Sequence, residues 1–133
     1  MGVERSQIRV SLVIFDLDCD PDRVSEILSL TPSSVERKGD ITRAGKPKLE
    51  GSNAWVLKSD LEDEPELDIH VKGLFKKIGD LKRISKVSPT WGMRIDCCLQ
   101  FANSDNTPTL YFSEESIDLM SKYKCSMDID YYF

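Results

Sequence analysis

The sequence predicts an α+β fold: a two-layer sandwich whose largely antiparallel sheet of about five or six strands carries three main helices on one face, ferredoxin-like in character. Three observations lead there. Period-two apolar alternation recurs at 7–16, 54–59, 93–101 and 127–133. Helix-period stripes with recognisable start signals fall between those runs. At 133 residues, with 40% hydrophobic and 31% charged side chains, the chain has enough apolar surface for one core, and a single domain spanning 1–133 follows.

In the first run Ile8, Val10, Leu12 and Ile14 share a face while Val13 and Phe15 take the other, which places this strand inside the sheet. Asp20-Pro21-Asp22 then starts a helix, with Asp20 as N-cap, Pro21 at the first helical position and Asp22 against the positive dipole end. Val24, Ile27, Leu28 and the nearby Leu30 give its apolar stripe, and Thr31-Pro32 is its expected end, because the residue before proline is pushed out of helical geometry. Residues 33–40 read as extended or turning, with Gly39 at positive φ. Residues 41–52, with Gly45, Pro47 and Gly51 among Arg43, Lys46 and Lys48, read as an exposed mobile loop.

Trp55 and Leu57 alternate in the second strand. After the acidic run 60–68, Val71, Leu74, Phe75, Ile78 and Leu81 repeat at helical spacing, with acids ahead of the helix and lysines along it as the macrodipole favours. Gly79-Asp80 interrupts this helix, and a short second one passes Ile84 and Val87. Met93, Ile95, Cys97, Leu99 and Phe101 point inward from the next strand, 103–108 is a polar turn, and 109–112 is expected to pair back as a hairpin. Ser113 caps a third helix whose core face is Ile117, Met120 and Tyr123. In the last strand Met127, Ile129, Tyr131 and Phe133 share one face, and Asp128, Asp130 and Tyr132 the other.

Composition excludes several classes. With 23 acids against 18 bases and a net charge of −5, the chain lacks the clustered positive charge of a general nucleic-acid binder. No run approaches the length of a membrane span, and the first residues lack the layout of a secretory signal. Met1-Gly2 through Ser6 matches the bare myristoylation pattern, but one acyl chain without a polybasic patch anchors only marginally. Cys97 and Cys98 are adjacent, which suits neither a CxxC redox pair nor a zinc knuckle. Four free thiols and a cytoplasmic home are therefore expected.

Candidate chemistry is sparse. Asp16, Asp18 and Asp20 alternate as an EF-hand loop begins, but its sixth position holds Pro21 instead of glycine and its twelfth Ile27 instead of glutamate. A strand end followed by a helix cap accounts for these acids better, and no metal or cofactor is expected. A looser cation site would require Asp16 or Asp18 to meet Asp128 or Asp130. His70 is the single histidine, with no partner fixed by sequence, and no glycine-rich phosphate loop occurs. No catalytic residues are assigned.

With these elements placed, the chain resembles the bacterial domain-of-unknown-function family 4279. The resemblance is carried by Asp20-Pro21, Leu30-Thr31-Pro32, Lys38-Gly39-Asp40, Trp55-Val56-Leu57-Lys58-Ser59 and His70-Val71-Lys72-Gly73-Leu74-Phe75. It continues in the strand holding Cys97, in Phe112-Ser113 and in Met127-Asp128-Ile129-Asp130-Tyr131. It implies a small stand-alone α+β protein, and genes of such families lie beside secreted toxin genes, which suggests immunity proteins. The expected function is accordingly a non-enzymatic protein-binding module, an immunity protein neutralising a bacterial toxin. Its expected binding residues are Asp16, Asp18, Lys38, Trp55, Glu62, Asp63, Glu64, Asp128 and Asp130, with Trp55 and Lys38 also open to a purely structural role. The alternatives are a small-ligand sensor or carrier using a cleft beside the 41–52 loop, and a metal-assisted enzyme using the aspartates. A nucleic-acid or membrane partner is not expected, and oligomeric state is left open.

Overall fold

The computed structural model of the protein describes residues 7–39, 53–100 and 110–132. The expected 41–52 loop, the 103–108 turn, Phe101, Phe133 and the Met1–Ser6 pattern lie outside the described residues.

Five strands form one sheet: β1 (Gln7–Leu17), β2 (Ser34–Glu36), β3 (Asn53–Lys58), β4 (Gly92–Gln100) and β5 (Ser126–Tyr132). Their order is β2-β3-β1-β4-β5. The longest strand lies at the centre, antiparallel to both neighbours, with Leu12 opposite Leu57 on one side and Ile95 on the other. The period-two pattern fixes this register, since a slip of one residue would turn Val10, Leu12 and Ile14 away from the core. Three of the four pairings are antiparallel, as expected, and the β4–β5 pairing is parallel.

That parallel pair corrects the expected hairpin. Residues 110–112 are not strand. The chain instead passes from β4 through helix α3 (Glu114–Lys122) and returns alongside β4 as β5, as parallel neighbours require a crossover.

Helix α1 (Pro21–Leu28) starts as read: the Asp20 carboxylate accepts from Asp22 N and Pro21 occupies the first turn. It stops short of Thr31-Pro32. Ser29 takes the left-handed conformation (φ 54°) and its N–H bonds the Ser25 carbonyl, closing the helix before proline has any effect. Helix α2 (Leu67–Ile78) turns Leu67, Val71, Leu74, Phe75 and Ile78 into the core. Gly79 ends it at φ 74° and ψ −134°, and the 3₁₀ segment Leu81–Lys86 follows, burying Leu81 and Ile84. Helix α3 departs from the expected face. Ser113 caps it by accepting from Ser116 N, but Ser116 is the buried residue and Ile117 is 55% exposed, because the capped end is turned toward α2. Met120 and Tyr123 pack against the core as expected, the latter stacked on Phe75.

Core residues Val10, Leu12 and Ile14 of β1 join Trp55 and Leu57 of β3 and Met93, Ile95, Cys97 and Leu99 of β4 in one cluster with α1, α2 and the 3₁₀ segment. Gly39 has φ 94°, as expected. All four cysteines are free. Cys97 points into the core while Cys98, its neighbour, is only half-buried on the opposite face.

Candidate functional site

Polar side chains gather at four places. At the C-terminal end of β1, Asp18 N donates to Ser88 Oγ (2.8 Å), and Thr90 Oγ1 sits 2.7 Å from Asp18 Oδ1 and 3.0 Å from the Asp16 carbonyl. These bonds clamp the 88–90 turn to the strand end. Beside them the Arg37 guanidinium spans Asp20 (3.0 and 3.1 Å) and Asp22 (3.1 Å). Arg37, and after it the Asp22 N–H, hold the Asp20 carboxyl below the usual carboxylate range. Asn53 completes the corner, donating to the Cys19 carbonyl and accepting from Lys38 N.

The second place is the turn between β3 and α2. His70 is 2% exposed, with Nε2 2.8 Å from the Glu64 carbonyl and Nδ1 2.6 Å from Ser59 Oγ. A carbonyl only accepts, so Nε2 carries the proton and, in the neutral ring, Nδ1 accepts from the Ser59 hydroxyl. The imidazole thus ties both ends of the turn to the first turn of α2. Ser59 also lines a cavity of about 210 Å³ with Lys58, Asp60, Leu61, Gly73, Leu74 and Lys77.

Asp68 forms the third, and it joins α2 to α3. Its Oδ1 accepts from Ser116 Oγ (2.6 Å), Ser113 N (2.8 Å) and Ser113 Oγ (3.0 Å), and Oδ2 lies 3.2 Å from Lys72 Nζ. Burial alone would raise the Asp68 pKa. The bonds from Ser116 and Ser113, with Lys72, outweigh it and bring it down to about 2. Four large apolar residues stand exposed on the segments this carboxylate holds together: Ile69 on α2, Leu110 and Tyr111 ahead of α3, and Ile117 on α3. Glu66, Glu114, Glu115 and Asp118 are exposed on the same segments.

The fourth lies on the sheet face opposite the core. Arg94 of β4 bonds Asp96 through Nε and Nη2, approaches Asp128 of β5 (3.7 Å) and lies over the Phe15 ring, 5.5 Å from its centroid.

The structure distributes the sequence-selected residues among these places rather than gathering them. Asp16 and Asp18 end β1. Asp128 sits level with Asp96, itself opposite Ser11, so Asp16 is about 15 Å farther along the strands and about 10 Å across them. Asp130 lies one step farther from Asp16 again. The looser cation site therefore does not assemble, and no group of three or more potential metal ligands occurs among the described residues. Glu62 and Asp63 are exposed in the turn after β3, and Glu64 caps that turn by accepting from Glu66 N. This turn follows the end of β3 opposite Ser11, whereas residues 16–22 lie by its start opposite Leu17, so the two acidic runs are about 20 Å apart. Asp68, counted in the second run, faces inward. Lys38 is exposed, and Trp55 is fully buried with Nε1 bonded to Ser25 Oγ (3.0 Å).

The sequence reading marks Ser113 only as a helix cap and Ser59 only as part of a strand motif, and it does not single out Ser116 or Arg94. A serine three residues beyond a serine cap is a usable signal for a buried cap, but the partner Asp68 lies 45 residues away and has no local mark.

No helix among the described residues is long and apolar enough to cross a membrane. No curated protein and no solved structure matches the chain. The family described as "Domain of unknown function (DUF4279)" matches residues 6–133, nearly the whole length, with every strand and helix described above inside the match. The chain belongs to the DUF4279 family.

Proposed function

We propose that this protein is a non-enzymatic protein-binding module of the cytoplasm, in its most concrete form an immunity protein that occludes a bacterial toxin. One observation carries the reading: Ile69, Leu110, Tyr111 and Ile117 are exposed on two segments joined by Asp68 and accompanied by Glu66, Glu114, Glu115 and Asp118. Apolar anchors, an aromatic among them, bordered by charged residues of both signs, with Lys72 between Asp68 and Glu115 and Lys122 exposed on α3, have the anatomy of a protein interface with a polar rim. We read the architecture as two-layered, ferredoxin-like only in laying helices over one sheet face, since the core side chains of α1, α2 and the 3₁₀ segment all join those of that face. The cleft beside residues 41–52 that a small-ligand carrier would use lies outside the described residues, and the separate cavity beside Ser59, about 210 Å³, is below the roughly 300–1,000 Å³ of ordinary ligand pockets.

Co-expression with each toxin encoded beside the gene tests the proposal. Protection by the wild-type chain is expected, with loss of protection in Tyr111→Ala and Ile117→Glu while their unfolding midpoints stay unchanged. Failure to bind or neutralise any such toxin would overturn the immunity reading.

A further inference from the structure

Ser59 follows β3, and its N–H bonds the Val10 carbonyl (2.8 Å), so the sheet sets its position. Its Oγ lies 2.6 Å from His70 Nδ1, while Nε2, 2.8 Å from the Glu64 carbonyl, carries the proton. A hydroxyl, a base within hydrogen-bond reach and a third group that orients the base are the parts of an activated nucleophile. The base is buried, whereas Ser59 is only half-buried and lines the cavity of about 210 Å³. Oγ also accepts from Leu61 N, at 3.4 Å, and keeps a second lone pair for attack.

Leu61, Gly73 and Leu74 give that cavity an apolar wall, and Lys58 and Lys77 bring positive charge to it. Gly73 stands in the interior of α2, where alanine would be the better helix former. A Cβ there would lie 3.4 Å from Leu61 Cδ1 and take up part of the space. We propose that Ser59 is a nucleophile, activated by His70, that takes a short acyl group from an ester bound in this cavity. Oγ attacks the ester carbonyl carbon and its proton passes to Nδ1. The new Oγ–C bond replaces the ester C–O bond, whose electron pair leaves with the alcohol oxygen, and that oxygen takes the proton from Nδ1. Nothing is oxidised or reduced. A single acyl group per chain is self-modification without turnover, and it goes beyond the binding reading, since the α2–α3 surface takes no part in it.

The probes are nitrophenyl acetate and nitrophenyl butyrate, added to the full chain, with the acylated residues located by peptide mass mapping over time. Ser59 is expected to be acylated ahead of every other serine. His70→Gln, which keeps a donor for the Glu64 carbonyl but removes the base, should slow this about 100-fold. Gly73→Ala, favourable to the helix, should slow butyrylation about tenfold and acetylation less. Tyr111→Ala and Ile117→Glu should be acylated at the wild-type rate, so failure of the toxin reading and failure of this one are separate results. Should His70→Gln not fold, the wild-type map and Gly73→Ala decide. Acylation confined to lysines and cysteines, Ser59 no faster than the other serines, an unchanged rate in folded His70→Gln, or equal butyrylation of Gly73→Ala and wild type would each overturn the proposal.

Discussion

The His70 ring shows how one side chain holds a turn that has little packing of its own. Ser59→Ala would leave Nδ1 buried without a donor, at a cost of about 1–2 kcal/mol. Urea denaturation should show this as a lowered midpoint, with faster amide exchange confined first to 61–66. Asp68 makes a stronger demand. Its pKa falls from 3.8 in the unfolded chain to about 2, so the carboxylate contributes stability that is complete above about pH 4–5. That contribution, about 2 kcal/mol, is lost as pH drops through about 4 to about 2. Asp68→Asn should lower neutral-pH stability by a similar amount and flatten the stability profile across that window, as thermal melts at stepped pH would record.

At the scale of elements, local signals were reliable and remote ones were not. The Asp20 and Ser113 caps, the α2 stripe and the alternation of β1, β3 and β4 were legible because each depends on neighbours within a turn or a strand. The sequence puts the end of α1 too late because proline is a visible stop signal, whereas the left-handed Ser29 that acts first is an ordinary residue type. Helical spacing places Ile117 inward because it marks an apolar residue, not the direction in which its helix is docked; Asp68 sets that direction from α2. The same reason hid the candidate surface, whose segments are brought together by a contact across 45 residues. Gly79 is a junction sensitive to substitution, since φ 74° with ψ −134° is a conformation that only glycine adopts without strain. Gly79→Ala should cost about 1–3 kcal/mol, read as a lower denaturation midpoint, and should loosen the 3₁₀ segment before the sheet.

For the molecule as a whole, the cysteines report on cooperativity. Burial pushes the Cys97 thiol up to about 12 and the Cys125 thiol up to about 11, so both are poor nucleophiles in the folded protein. Iodoacetamide at about pH 8 should alkylate Cys98 first, and Cys97 only at the rate of global opening. The net charge of −5 is likewise not one acidic field: its two runs lie at opposite ends of the sheet, and each has a basic neighbour, Arg37 at one and Lys77 beside Asp60 at the other. The central position of β1 has a consequence for how the protein is made. β1 precedes every strand it pairs with, and Ile8 must wait for Leu99. During synthesis its apolar run has no partner until β3 and then β4 have emerged, so the topology is one of high contact order. Refolding on the order of milliseconds to seconds is the expectation, with the nascent β1 the segment most in need of a chaperone.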